Sequence, residues 1–174
     1  PQVLAIAAVP SYSLDVRSLK NRYVLALDGI RDPGNMGTII RIADWFGIDD
    51  IICSPDSAEI WNPKVVQASM GSLLRVRVHE ADLRKLFSSG EFRGLDTPVY
   101  GAFLDGRSIS SSEKSAPGVI IIGNESNGIS PEVGALVTHR ITIPSIDYAS
   151  HTGKAESLNA AVATGIIVSR FVLR

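Results

Sequence analysis

Val119-Ile120-Ile121-Ile122-Gly123-Asn124-Glu125-Ser126-Asn127-Gly128 passes without transition from an apolar run to a short polar loop closed by a second glycine. Gly118 and Gly123 bound four residues that show no polar alternation, the pattern of a strand covered on both faces of a parallel sheet. Such a strand belongs at the centre of the fold. The loop places Glu125 just beyond it, and a carboxylate there needs a partner unless the segment is only a polar turn. Arg41 is one candidate for that partner.

Working outward from this strand, the chain alternates between strand and helix patterns. Tyr23 to Leu27 is a short apolar run, followed by a turn-rich loop over Asp28 to Gly37 and then by Ile39, Ile40, Ala43 and Phe46 at helical spacing. Asp50 to Cys53 predicts a strand, Pro63 to Met70 a short helix opened by proline, and the alternation of Leu74, Val76 and Val78 with Arg75, Arg77 and His79 a half-exposed strand. A helix over Ala81 to Ser88 and a strand over Pro98 to Ala102 come next. Beyond the central strand, Ser130 is placed to cap a helix over Pro131 to Val137, and Arg140 to Ile143 reads as the last strand. Glu156 to Arg174 predicts a long helix with little polar face, buried in the core or at a subunit interface.

This order predicts an α/β fold, a mostly parallel sheet flanked by helices, with ligands outside the carboxyl ends of the strands. The polar loops Asp28 to Gly37, Gly101 to Gly106, Gly123 to Gly128 and Pro144 to Lys154 all follow strands and so gather at one edge.

The 174 residues, 45% of them apolar, suffice for one globular domain, and no apolar run has transmembrane length. A lone cysteine, Cys53, can form neither an internal disulfide nor a thiolate cluster, which fits a reducing compartment and makes cytoplasm the expected location. The chain opens on Pro1 without a signal pattern and reads as a fragment or processed product. A net charge of −1 lacks the excess of a self-sufficient nucleic-acid binder, so an RNA role requires a further binding module or basic residues clustered on one face. The glycines of the Gly123 to Gly128 loop lack dinucleotide-fingerprint spacing and no Gly-Lys-Ser/Thr loop exists, which argues against nicotinamide and nucleoside-triphosphate enzymes. His79, His139 and His151 are scattered, and no metal site is expected.

Three constellations carry chemistry. Asn35 to Gly47 holds Asn35 and Arg41, which taken alone are a turn residue and an exposed helix residue opposite Ile39, Ile40 and Ala43. Gly123 to Gly128 holds Glu125. Ile143-Pro144, followed by Glu156-Ser157-Leu158-Asn159, opens the last helix, where simple capping by Glu156 or Ser157 is the plain alternative. Each follows a buried strand or starts a buried helix, which independent turns have no reason to do.

In this order the three stretches resemble the motifs of the SpoU-type RNA ribose 2′-O-methyltransferases of the SPOUT class, and the similarity runs from Tyr23 to Arg174. Residues 21–174 would then be the catalytic domain, with 1–20 the tail of a preceding RNA-binding module. The resemblance implies a deep C-terminal trefoil knot, a homodimer with sites near the subunit interface, S-adenosylmethionine as methyl donor, no metal, and structured RNA, ribosomal or transfer with ribosomal favoured, as substrate. It places Arg41 nearest the hydroxyl, with Asn35, Glu125, Ser157 and Asn159 shaping the pocket. The donor would rest at Ala102, Gly123, Asn124, Gly128, Ile143, Pro144 and Leu158, where close backbone approach suits small residues such as Gly123. The family role of general base sits poorly with a guanidinium, so phosphate binding and orientation by Arg41 stand beside it.

One departure is marked. Ser145 to Lys154 enlarges a connection that spans only a few residues in the family, and Tyr148, His151 or Lys154 there would touch RNA or gate the site. Ala160-Ala161 where Val-Ser is common only repacks. Base methylation is a rival within the superfamily, and a non-catalytic RNA-binding or assembly protein a rival from another class.

Overall fold

The computed structural model describes residues 6, 8–110, 115–145 and 156–173. Its strands are β1 (Val24–Asp28), β2 (Asp50–Cys53), β3 (Arg77–Glu80), β4 (Val99–Ser108), β5 (Val119–Gly123) and β6 (His139–Thr142). The helices are α1 (Pro33–Trp45), α2 (Pro63–Ser69), α3 (Leu83–Ser88), α4 (Gly90–Arg93), α5 (Pro131–Gly134) and α6 (Ala160–Val172). The strands form one six-stranded sheet in the order β3-β2-β1-β5-β4-β6, and every neighbouring pair is parallel.

Side chains on successive strand residues point to opposite faces, and the core divides accordingly. Leu25, Leu27, Ile51, Cys53, Ile120 and Ile122 face a layer made by α1, α2 and α6. Val24, Ala26, Ile52, Val119 and Ile121 face α3, α4, α5 and a 3-10 turn at Val16–Leu19. Both faces are covered, which is why β5 is a continuous β-branched run and sits, as its composition predicts, between β1 and β4. Gly37 lets α2 cross α1 closely: a Cβ there would lie 2.6 Å from both Ala68 Cβ and the Val65 carbonyl oxygen.

Several boundaries differ from those the sequence predicts. The loop after β1 ends early, because Asp32 accepts from the Asn35 amide as N-cap and Pro33 takes the first helical turn, so Asn35 to Gly37 are helical. Ser72–Leu74 is a 3-10 turn, which leaves β3 only Arg77–Glu80. Asp82 caps α3, so Ala81 lies outside it. β4 runs on to Ser108 across a register shift between Ala102 and Arg107, so Gly101 to Gly106 is strand rather than loop. α5 stops at Gly134, β6 starts one residue early at His139, and α6 starts only at Ala160 because Asn159 caps it through the Ala161 and Val162 amides. All but Ser145 of the enlarged connection 145–154 lies outside the described residues, as do Tyr148, His151, Lys154 and the segment on which a knot would turn.

The chain runs β1, β2, β3 toward one edge, then crosses to place β4, β5 and β6 on the other side. The strand order reverses between β1 and β5. Their carboxyl ends therefore bound the crevice in which open α/β sheets hold ligands. No helix among the described residues is long and apolar enough to cross a membrane.

At the opposite end of the sheet Asp50, 4% exposed, accepts from Arg77 Nε and Nη2 at 2.8 and 2.7 Å and sits 3.0 Å from His79 Nε2. Burial pushes this carboxyl's pKa up, but the bonds from His79 and Arg77 and their charges outweigh it and hold the group well below the ordinary range. A depressed carboxylate contributes stability that is complete above its unfolded pKa, about 3.9, and that drains away as pH falls below it. Urea unfolding is expected to show Asp50→Asn costing about 3 kcal/mol at pH 7. The gap to wild type should narrow between pH 4 and pH 2.

Candidate active site

Three distant stretches meet through the side-chain amide of Asn35. Its Nδ2 donates to Glu125 Oε1 at 2.6 Å, and its Oδ1 accepts from Asn159 Nδ2 at 2.9 Å. Local sequence explains each placement. Asn35 lies in the first turn of α1, set by the Asp32 cap and Pro33; Asn159 is fixed as the N-cap of α6. Glu125 rides on the loop after β5.

That loop is tightly closed. Asn124 and Gly128 exchange backbone hydrogen bonds at 3.0 and 2.9 Å, and Asn124 Oδ1 accepts the Ser126 and Asn127 amides. Gly128 turns the chain at φ 69°. The loop folds back so closely over Gly123 that a Cβ there would lie 2.2 Å from the Gly128 carbonyl carbon. Glu125 is thus presented by a rigid turn at the carboxyl end of the central strand. Its Oε1 is held by Asn35, and Glu125 makes no other hydrogen bond among the described residues.

The other expected residues are placed as follows. Arg41 is exposed on α1 and makes no hydrogen bond or ion pair among the described residues, so the partner of Glu125 is Asn35 and not Arg41. At about 100° per residue, six residues of helix separate Asn35 from Arg41 by about 120° around the axis. Asn35 faces Glu125 and Asn159 while Arg41 faces solvent. Ala102 on β4 and Ile143 just after β6 are partly buried against the same core cluster. Pro144, Ser157 and Leu158 are exposed. Ser157 and Glu156 do not cap α6, since Asn159 does. The Asn124 side chain is spent inside the protein, with Nδ2 donating to the Gly29 carbonyl at 2.7 Å. Asp28 escaped the sequence reading, although a carboxylate directly after the buried run Val24 to Leu27 was a signal of the same kind as Glu125. Among the described residues no cluster of His, Cys, Asp and Glu is arranged to hold a metal ion.

The sequence and the parallel-sheet fold match a known class. The chain belongs to the SpoU rRNA Methylase family, whose model matches residues 22–169. It is 30% identical over 168 residues to the 23S rRNA (guanosine(2553)-2′-O)-methyltransferase of Bacillus subtilis, covering 96% of this chain and 63% of that protein. The fold is shared with an AdoMet-bound rRNA methyltransferase from Sinorhizobium meliloti (TM-score 0.72, 31% identity, 92% of this chain, 60% of that one). It is also shared with the SpoU methyltransferase AviRb from Streptomyces viridochromogenes in complex with AdoMet (TM-score 0.75, 28% identity, 88% and 58%). The chain therefore spans about three fifths of the length of these relatives.

Gly123→Ala is expected to open the 124–128 turn, since neither Gly128 nor Ile129 can withdraw without breaking the Asn124–Gly128 pair. Hydrogen exchange should show the Ser126, Asn127 and Gly128 amides losing protection while those of β1 keep theirs.

Proposed function

We propose that this chain is the catalytic domain of an RNA methyltransferase that moves a methyl group from S-adenosylmethionine to a ribose 2′-hydroxyl in structured RNA, ribosomal RNA before transfer RNA. The observation that carries the reading is the Glu125–Asn35–Asn159 chain of hydrogen bonds at the carboxyl ends of β1 and β5. Family membership and the AdoMet-bound relatives support it. Residues 21–174 form the catalytic unit in this reading, with 1–20 as the approach to an RNA-binding module, and the protein works in the cytoplasm.

The residues suit a sulfonium donor. A partly buried carboxylate, Glu125, complements its positive charge, and in this reading the donor rests against Ile143, Leu158 and the backbone of Gly123, Asn124, Gly128, Ala102 and Pro144. Bound S-adenosylmethionine supplies an electrophilic methyl carbon, which leaves sulfur as a bond to the 2′-oxygen forms, with the hydroxyl proton released to solvent.

The chain's own work is placement. Asn35 and Asn159 hold the Glu125 carboxylate in one orientation, so no reorganisation is needed when the hydroxyl arrives. Arg41, exposed and without a partner among the described residues, is suited to a backbone phosphate, fixing the ribose without taking its proton. Ser157, beside Asn159, orients the same nucleotide. The transfer needs no metal.

The homodimer finds support in apolar side chains left uncovered on α1 and α6: Trp45 is 84% exposed, Val162 52% and Ile166 38%. Burial of such a set against a second copy is favourable by roughly 25 cal/mol per Å² of apolar surface. A deep C-terminal trefoil knot belongs to the same proposal.

Calorimetry and tritium-methyl transfer to unmodified ribosomal RNA test the reading. Wild type should bind S-adenosylmethionine and label ribose, and Arg41→Ala should lose transfer by at least about 10²-fold with donor affinity nearly unchanged. A folded dimer that binds RNA but neither binds nor uses the donor would instead identify a non-catalytic assembly protein.

A further inference from the structure

The turn that carries Glu125 is anchored at both ends by the last residues around β1. At its start, Asn124 Nδ2 reaches the Gly29 carbonyl. Beyond its end, Ser130 directs both its backbone amide and its hydroxyl at one oxygen of Asp28, at 2.7 and 2.8 Å. Asp28 is in register with Gly123, so its carboxylate reaches from one strand to the exit of a loop that begins on the next.

Ser130 stands at the N-cap of α5, where a serine ordinarily turns its hydroxyl back to the first helical amides. It makes no such bond here. The hydroxyl has been diverted to Asp28, which is 7% exposed. A carboxylate receiving two donors from one residue holds it more firmly than a neutral acceptor would. Asp28 has no hydrogen bond to Asn35, Glu125 or Asn159, so any effect on them passes through the loop.

We infer that Asp28 is a positioning residue for Glu125: by holding Ser130 it sets the angle at which the 124–128 turn offers the Glu125 carboxylate to Asn35. For its effect on rate, the inference rests on the ribose-methylation reading above. Its structural consequence does not. Displacement of a catalytic group by about 1 Å costs on the order of 10²-fold in rate, which sets the expected size of the effect.

The test uses the full chain carrying Asp28→Ala, Asp28→Asn or Ser130→Ala, each also combined with Glu125→Ala. Asp28→Ala should lower kcat for methyl transfer, measured at saturating donor, by about 100-fold and Ser130→Ala by about 10-fold, with RNA KM held within about threefold. Asp28→Asn, which keeps an acceptor oxygen, should recover part of the loss. In the Glu125→Ala background Asp28→Ala should cost less than about twofold more in kcat at saturating donor, because its effect on the transfer step runs through Glu125. Hydrogen exchange should show the Ser126 to Gly128 amides loosened by Asp28→Ala but not by Glu125→Ala. Full cost in the Glu125→Ala background, wild-type rates for Asp28→Ala, or unchanged exchange would each overturn the inference. Absence of transfer by wild type would instead sink the functional reading, and the exchange result would then decide the role of Asp28 alone.

Discussion

One amide side chain holds the site together. Asn35 offers a donor to a carboxylate and an acceptor to a second amide, and only an uncharged residue with both can stand between Glu125 and Asn159. A lysine there would lack the acceptor and an aspartate would repel Glu125. Because the three residues come from the start of α1, the loop after β5 and the cap of α6, the contact exists only when both helices and the central strand are in place. The site is a readout of the completed fold.

The sheet topology brings these pieces together. Reversal of the strand order between the parallel neighbours β1 and β5 opens a crevice at their carboxyl ends, and Asp28, Gly29, Gly123 and Asn124 line its base with main-chain and side-chain contacts. Burial on both faces makes the floor rigid, since Val24 to Leu27 and Val119 to Ile121 are at most 1% exposed. The floor of the crevice is thus rigid, whereas Arg41, Ser157 and Leu158 are exposed.

Much of this was legible in the residues. The unbroken run Val119 to Ile122 announced the central strand because a strand covered on both sides has no use for polar alternation. The convergence of Asn35, Glu125 and Asn159 was legible only as a resemblance, since nothing local says that residues 124 positions apart will bond. The pairing of Glu125 with Arg41 was misjudged for a geometric reason, as the two α1 residues lie on different sides of the helix. Boundaries failed where side-chain capping decides them. Asp32-Pro33 starts α1 before the apolar periodicity begins, and Asn159 delays α6 past Glu156 and Ser157, whose polar character was read as part of the helix. The extension of β4 to Ser108 depends on β6 as a distant partner and a register shift, which no local pattern encodes.

The most direct measurement is a crystal structure of the chain with S-adenosylhomocysteine and a short RNA soaked into the same crystal. The thioether sulfur and one ribose 2′-oxygen are expected on either side of a methyl-sized gap beside Glu125, with the Asn35 bonds to Glu125 and Asn159 intact. A nucleoside bound elsewhere on the sheet, or a Glu125 swung away from Asn35 with both ligands present, would contradict it.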